Sequence, residues 1–158
     1  MGLIHFQPAQ RASGAPEYRE FDIQAATSFT IGAPMQRNGG TPSDIEEHDG
    51  DTDVQDIIGV ALFGATSGVP AAKGSTAYGT KMTVGIANLD QLFLGQLTSA
   101  SAVVTPTKSN IRTYGMLKVT NDWYVDRDDT GQIVLQVIKI YPNIDAVLFK
   151  FNAAAISP

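Results

Sequence analysis

Residues 114–141 read YGMLKVTNDWYVDRDDTGQIVLQVIKIY. Three apolar runs, Met116–Val119, Trp123–Val125 and Ile133–Tyr141, are separated by two turn clusters, Thr120–Asp122 and Asp126–Gly131. Val, Ile, Trp and Tyr suit a pleated, half-buried surface, and Asn, Asp and Gly supply turn dihedrals. The pattern predicts a three-strand antiparallel meander. In the last run both alternating sets are apolar: Ile133, Leu135 and Val137 on one side, Val134, Ile138 and Ile140 on the other. A strand apolar on both faces is normally covered on both. It therefore belongs at the centre of a barrel or sandwich, or has one face closed by another subunit.

Working outward, residues 28–36 (SFTIGAPMQ) alternate, with Phe29, Ile31 and Met35 able to share a face. Asn38-Gly39 follows, a hairpin signal because both central positions need positive φ. The acidic, hydrophilic segment Asp44–Asp56 leads to a return strand at Ile57–Phe63. Gly64–Ala77 is rich in small residues and reads as loop. Lys81–Ala87 reads as a strand. In Asn88–Leu97, Asn88 and Gln91 could open a helix as a capping box, but a turn before a short strand is the preferred reading, and Ala102–Thr105 is a β-prone piece stopped by Pro106. Ala146–Asn152 closes the pattern, with Val147, Phe149 and Phe151 alternating against Leu148 and Lys150. No internal repeat is defensible. The expected fold is all-β, a small antiparallel barrel or sandwich-like domain over residues 26–158. Residues 1–25 contain Pro8, Gly14 and Pro16 with scattered aromatics and hold no period, which predicts an extended N-terminal arm.

The composition narrows the function classes. A chain of 158 residues suits one domain with a sizeable core. Without cysteine there is no disulfide framework and no thiolate zinc site. The net charge of −5 argues against a nucleic-acid surface. No run of about 18 apolar residues predicts a membrane span. The first residues, MGLIHFQPAQR, lack the basic start and apolar core of a secretory signal. Phe6 stands where the myristoylation pattern wants Ser or Thr.

Candidate chemical motifs are incomplete. Asp49, Asp51 and Asp53 open like a calcium loop, but Val54 and Val60 occupy the places of its glycine and bidentate glutamate. Asp126–Gly131 has the glycine and then offers Val137 in place of the glutamate. Gly74–Lys81 has the glycine spacing of a phosphate loop with the lysine and threonine reversed. His5 and His48 are the only histidines, and no Gly-x-Ser-x-Gly elbow exists. Glu46 and Glu47 are adjacent and would point to opposite faces of a strand. These gaps predict neither catalysis, cofactor nor metal. Trp123 and Tyr124 could stack a sugar or base, but an aromatic in such a strand belongs by default to the core.

The order of pieces resembles the small capsid decoration, or cement, proteins of tailed bacteriophages. The likeness is carried by Phe29, Gly32, Ile58–Ala61, Tyr114–Gly115, Trp123–Asp126 and Val134–Ile138, within residues 27–152. It implies a small β-barrel-like subunit that trimerises at local three-fold positions on the outer capsid. The implied partners are the major capsid protein and further copies of the chain, with no direct nucleic acid and no membrane. The implied location is the virion surface, after assembly in the host cytoplasm. Phe6, Tyr18, Phe21, Trp123 and Tyr141 are the expected capsid or subunit contacts. The alternative is a tail- or fibre-type binding module touching host glycans through Trp123, Tyr124 and Tyr141. A trimeric β-rich hydrolase is a third class, without a recognisable phosphate loop or paired metal ligands to support it.

Overall fold

The computed structural model describes residues 2–24, 28–38, 43–49, 56–66, 81–131 and 134–157, and the backbone of 69–70. The fold is all-β. Strands β2 (Tyr18–Ile23), β3 (Pro34–Arg37), β4 (Asp44–Glu47), β5 (Ile57–Ala61) and β8 (Lys81–Ile86) form a closed barrel in the order β2-β4-β3-β5-β8. Its lumen is filled by side chains, among them Ile23, Met35, Ile45, Val60, Met82 and Val84, each at most 3% exposed. A two-strand ribbon, β6 (Ala65–Thr66) with β7 (Val69–Pro70), lies outside it.

The second half of the chain repeats this plan. Strands β9 (Gln91–Ser99), β11 (Thr113–Val119), β12 (Asp122–Asp126), β13 (Leu135–Tyr141) and β14 (Ala146–Phe151) belong to a seven-stranded sheet. Because β14 pairs back onto β9 (Phe149 opposite Phe93), these five close into a ring. In each ring the first strand is parallel to the third: β2 with β4, and β9 with β12. In each, the third pairs antiparallel with the second, the second with the fourth, the fourth with the fifth and the fifth with the first. The repeat absent from the sequence is thus present as topology. Barrels need only inward apolar alternation and suitable turns, so identical wiring leaves little sequence identity to detect.

The remaining two strands extend β9. Strand β1 (Gln7–Arg11) pairs antiparallel with its first half and β10 (Ala102–Val103) with its last residues. The tight β9–β10 turn puts Ala100 and Ser101 at positive φ (48° and 65°). Asp128 holds that turn by accepting from the Ala100 amide at 2.6 Å and the Ser99 hydroxyl at 3.0 Å.

Several expectations change. Residues 1–25 are not a free arm: β1 and β2 are integral strands, and Phe6 is 1% exposed, its ring 4.8 Å from that of Phe149. Period is lost there because Pro8 and Gly14 interrupt two short strands that join different sheets. Residues 114–141 make three strands, but β11 lies between β12 and β13, so the ribbon is not a simple meander. The acidic segment contains β4, with Ile45 fully buried, and β4 rather than Ile57–Phe63 is the first return from β3. The predicted turn at Asn38-Gly39 lies partly outside the described residues. So do the Asp49–Asp53 calcium pattern, the Gly74–Lys81 loop and Ile133. Residues 28–36 do not form one strand, because Gly32 takes φ +86 and turns the chain, leaving Ile31 exposed. A Cβ at Gly32 would stand 2.8 Å from the Phe6 amide nitrogen, so only glycine fits this crossing.

The two-faced strand is resolved by a bulge. Val137 pairs with Phe149 and Lys139 with Leu148, so Ile138 is the extra residue. Leu135 and Val137 are fully buried, whereas Ile138 is 39% exposed and Ile140 half-buried.

Candidate functional site

A polar constellation lies where the barrels meet. Glu47, the last residue of β4, receives two donors from the second barrel. The Trp123 indole N–H donates to Oε1 at 2.8 Å, and Lys118 Nζ donates to Oε2 at 2.7 Å. Trp123 and Lys118 are register partners on β12 and β11. Their opposed placement lets one carboxylate take both. A charge-assisted bond to each oxygen satisfies a carboxylate that burial would otherwise penalise.

Beside it, His48 packs edge-on against Trp123 at 6.4 Å between ring centroids. Its Nε2 lies 3.1 Å from Asp56 Oδ1, with the imidazole 1% exposed. Burial pushes the Asp56 carboxyl up, opposed by the charge of His48 and the hydrogen bond to it, while the Asp49 charge adds to the rise. At the other edge His5 Nδ1 lies 3.4 Å from Asp122 Oδ1. That spacing suits an ion pair, yet the alignment is not that of a hydrogen bond. Thr30 Oγ1 donates to the Asn121 carbonyl across the same junction.

Both termini cross this seam. β1 is bonded to β9 of the second barrel while Pro8 packs against Gly85 of the first, where a Cβ would meet the ring at 2.2 Å. The C-terminal residues return to the first barrel: Ile57 N–H donates to the Ala155 carbonyl at 3.0 Å, and Ser157 N–H to the Ile57 carbonyl at 2.9 Å. Chemically the seam is a clamp. His48 is enclosed, with the Asp56 carboxylate and the Trp123 indole among the groups beside it.

The predicted contact residues separate. Phe6 is core, in a cluster with Phe93, Phe149 and Phe151. Trp123 is 5% exposed and belongs to the seam. Phe21 is half-buried against the first core, and Tyr141 is half-buried with Lys139 Nζ 5.1 Å from its ring centroid. Tyr18 alone is largely exposed, at 51%. Trp123 and Tyr124 point to opposite faces of β12, so they cannot form one aromatic platform. The Glu47–Lys118–Trp123 and His48–Asp56 pairings carry no local motif. Glu47 and Trp123 stand 76 residues apart, a separation no spacing rule spans. Among the described residues no group of three or more potential ligands converges for a metal, and no helix is long and apolar enough to cross a membrane. Comparison with protein-family models, with curated proteins and with solved structures finds no match.

Proposed function

We propose that this chain is a structural virion protein. In this reading it decorates and stabilises the mature capsid of a tailed phage, as a trimer at local three-fold positions. The observation that carries the reading is Ile138. The bulge in β13 leaves this residue 39% exposed, while Ile140 beyond it pairs with buried Val147 and packs against the core. In an isolated chain Ile138 is uncovered, and a neighbouring copy or a capsid subunit would cover it. The sequence likeness to cement proteins supports the same class.

The physical logic is linkage. A subunit that binds only the expanded shell stabilises that shell by mass action, and three simultaneous contacts per trimer raise the effective affinity. Its partners would be the major capsid protein and two further copies of itself, on the virion surface. Because β1 and β2 are integral strands, docking would use side chains of the folded barrels such as Tyr18, Ile138 and Tyr141 rather than a free arm.

Co-sedimentation with purified expanded shells tests the class: binding to shells but not to free capsid subunits is expected, and no co-pelleting at micromolar concentration would sink it. Light scattering tests the assembly. The wild type is expected at three times the chain mass, and Ile138→Glu at one chain mass with its far-UV spectrum unchanged. A trimer unaffected by Ile138→Glu would place the interface elsewhere.

A further inference from the structure

On the outer side of the second barrel five separate segments border an open cavity of about 340 Å³, lined by Gly2, Leu3, Gln96, Val103, Tyr124 and Asp145. That is the size of a small ligand pocket. The construction is specific. Gln96, 3% exposed, accepts from the Ile4 amide at 3.1 Å and donates to the Gly2 carbonyl at 3.4 Å. Its amide is thereby engaged in holding the N-terminal segment as one wall. Leu3 and Val103 are each 42% exposed, though both are large and apolar. Tyr124 is on the outward face of β12, opposite to Trp123. Asp145 sits in the left-handed turn between β13 and β14, at φ 52°, with Oδ1 accepting from the Thr105 hydroxyl at 2.6 Å. An aspartate tolerates that backbone better than most residues, and the turn and Thr105 together fix where the carboxylate stands.

The charge is one-sided. Among the described residues Asp145 is the one ionisable carboxyl in the lining, and neither Lys nor Arg lines it. Asp122 lies two residues from Tyr124 on the same strand face. Burial raises the Tyr124 phenol pKa, and the Asp122 charge adds to the rise. Asp122 thus places a carboxylate near the phenol, with His5 Nδ1 3.4 Å from that carboxylate. A ring face, two apolar walls and a carboxylate match a cation on an alkyl stem. The stem lies along Leu3 and Val103, the charge over the Tyr124 ring and against Asp145. A sugar would want donors and acceptors in comparable number, whereas the charged group present is an acceptor only.

We infer that this cavity receives the side chain of a lysine or arginine presented by a partner protein. The site is independent of the capsid reading, since it is tested on the isolated full-length chain. The failure of one therefore leaves the other standing.

The test is an NMR titration of the ¹⁵N-labelled chain with Nα-acetyl-lysinamide, Nα-acetyl-argininamide, Nα-acetyl-norleucinamide and methyl glucoside. Saturable shifts confined to the amides around Val103, Tyr124 and Asp145 are expected with the lysine or arginine probe and not with the other two. Asp145→Asn keeps a residue that tolerates the left-handed turn and can still accept from Thr105, so it is expected to fold. It should weaken cation binding by about tenfold, the scale of one lost charge-assisted bond. Tyr124→Phe keeps the ring face and should bind nearly as well as wild type, while Tyr124→Ala should not bind. Equal binding of the norleucine probe would make the cavity a merely apolar groove. Preferential binding of the glucoside would make it a sugar site. No saturable shift with either cation, or an Asp145→Asn variant that binds like wild type, overturns the inference outright.

Discussion

At the scale of single residues, Glu47 ties the first barrel to two strands of the second. Removing it leaves the buried indole N–H of Trp123 without its partner and breaks the ion pair of the exposed Lys118. We predict that Glu47→Ala lowers unfolding free energy by about 1–3 kcal/mol, mostly because the buried indole N–H is left without a partner. Trp123→Phe removes one donor and some volume, and should cost nearer 1–2 kcal/mol. Urea midpoints at constant slope would check both, and a near-neutral Glu47→Ala would mean the clamp is ornamental. Asp56 sets a pH dependence of its own. Its folded pKa lies above the ordinary 3.8, chiefly through burial. The folded state thus holds the proton more tightly, and the stability tied to it is full at low pH and lost as pH rises through the raised value. Asp90 and Asp128 are shifted the other way by hydrogen bonds, to Ser13 and Arg11 and to Ala100 and Ser99 respectively. They are exposed, so salt screens them. In high salt, Asp56→Asn should therefore flatten the fall in urea midpoint as pH rises from the ordinary carboxylate value. An unchanged slope would remove Asp56 from the account.

At the scale of elements, legibility followed covering. β8, β14 and most of β9, β11 and β12 were readable because their alternation is undisturbed and their turns carry Asn, Asp or Gly. β1, β2 and β4 were not, since each is short and mostly polar on its outer face. In β4 a single Ile45 marks the inward side among Asp44, Glu46 and Glu47. The bulge at Ile138 was hidden because an apolar residue facing out looks the same in sequence as one facing in. At the candidate site Trp123 was legible as core, but its partner in β4 was not, because register between distant strands is set by folding rather than spacing. The burial of Phe6 yields the element-scale prediction. It closes the second barrel with Phe93, Phe149 and Phe151, and a Cβ at Gly95 would press on its ring at 2.5 Å. Phe6→Ala should cost about 3–5 kcal/mol, the range for a large buried aromatic. Gly95→Ala should destabilise through displacement of the same ring. A thermal melt of Phe6→Ala matching wild type would restore residues 1–11 to a dispensable arm.

At the scale of the whole molecule, two barrels with one wiring raise the question of whether they are one thermodynamic unit. Each has its own lumen, and barrels without open edges can be independently stable. Three features oppose independence here. β1 is hydrogen-bonded to one barrel and packed on the other, the C-terminal residues Ala155–Ser157 return to β5, and Glu47 ties β4 to β11 and β12. Unfolding one barrel would expose the seam face of the other together with its stranded polar groups, so partial unfolding is penalised. We predict a single cooperative transition for the wild type. Trp123, the only tryptophan, sits at the seam and reports its opening, while far-UV circular dichroism reports strands of both barrels. Coincidence of the two curves is the standard signature of two-state behaviour. Glu47→Ala weakens the seam without touching either lumen, so its fluorescence transition should precede the loss of strand signal. Phe6→Ala, by contrast, weakens the second barrel from within and should move both curves together. A wild-type protein whose two probes already separate would show that the barrels are joined by the chain but not by energy.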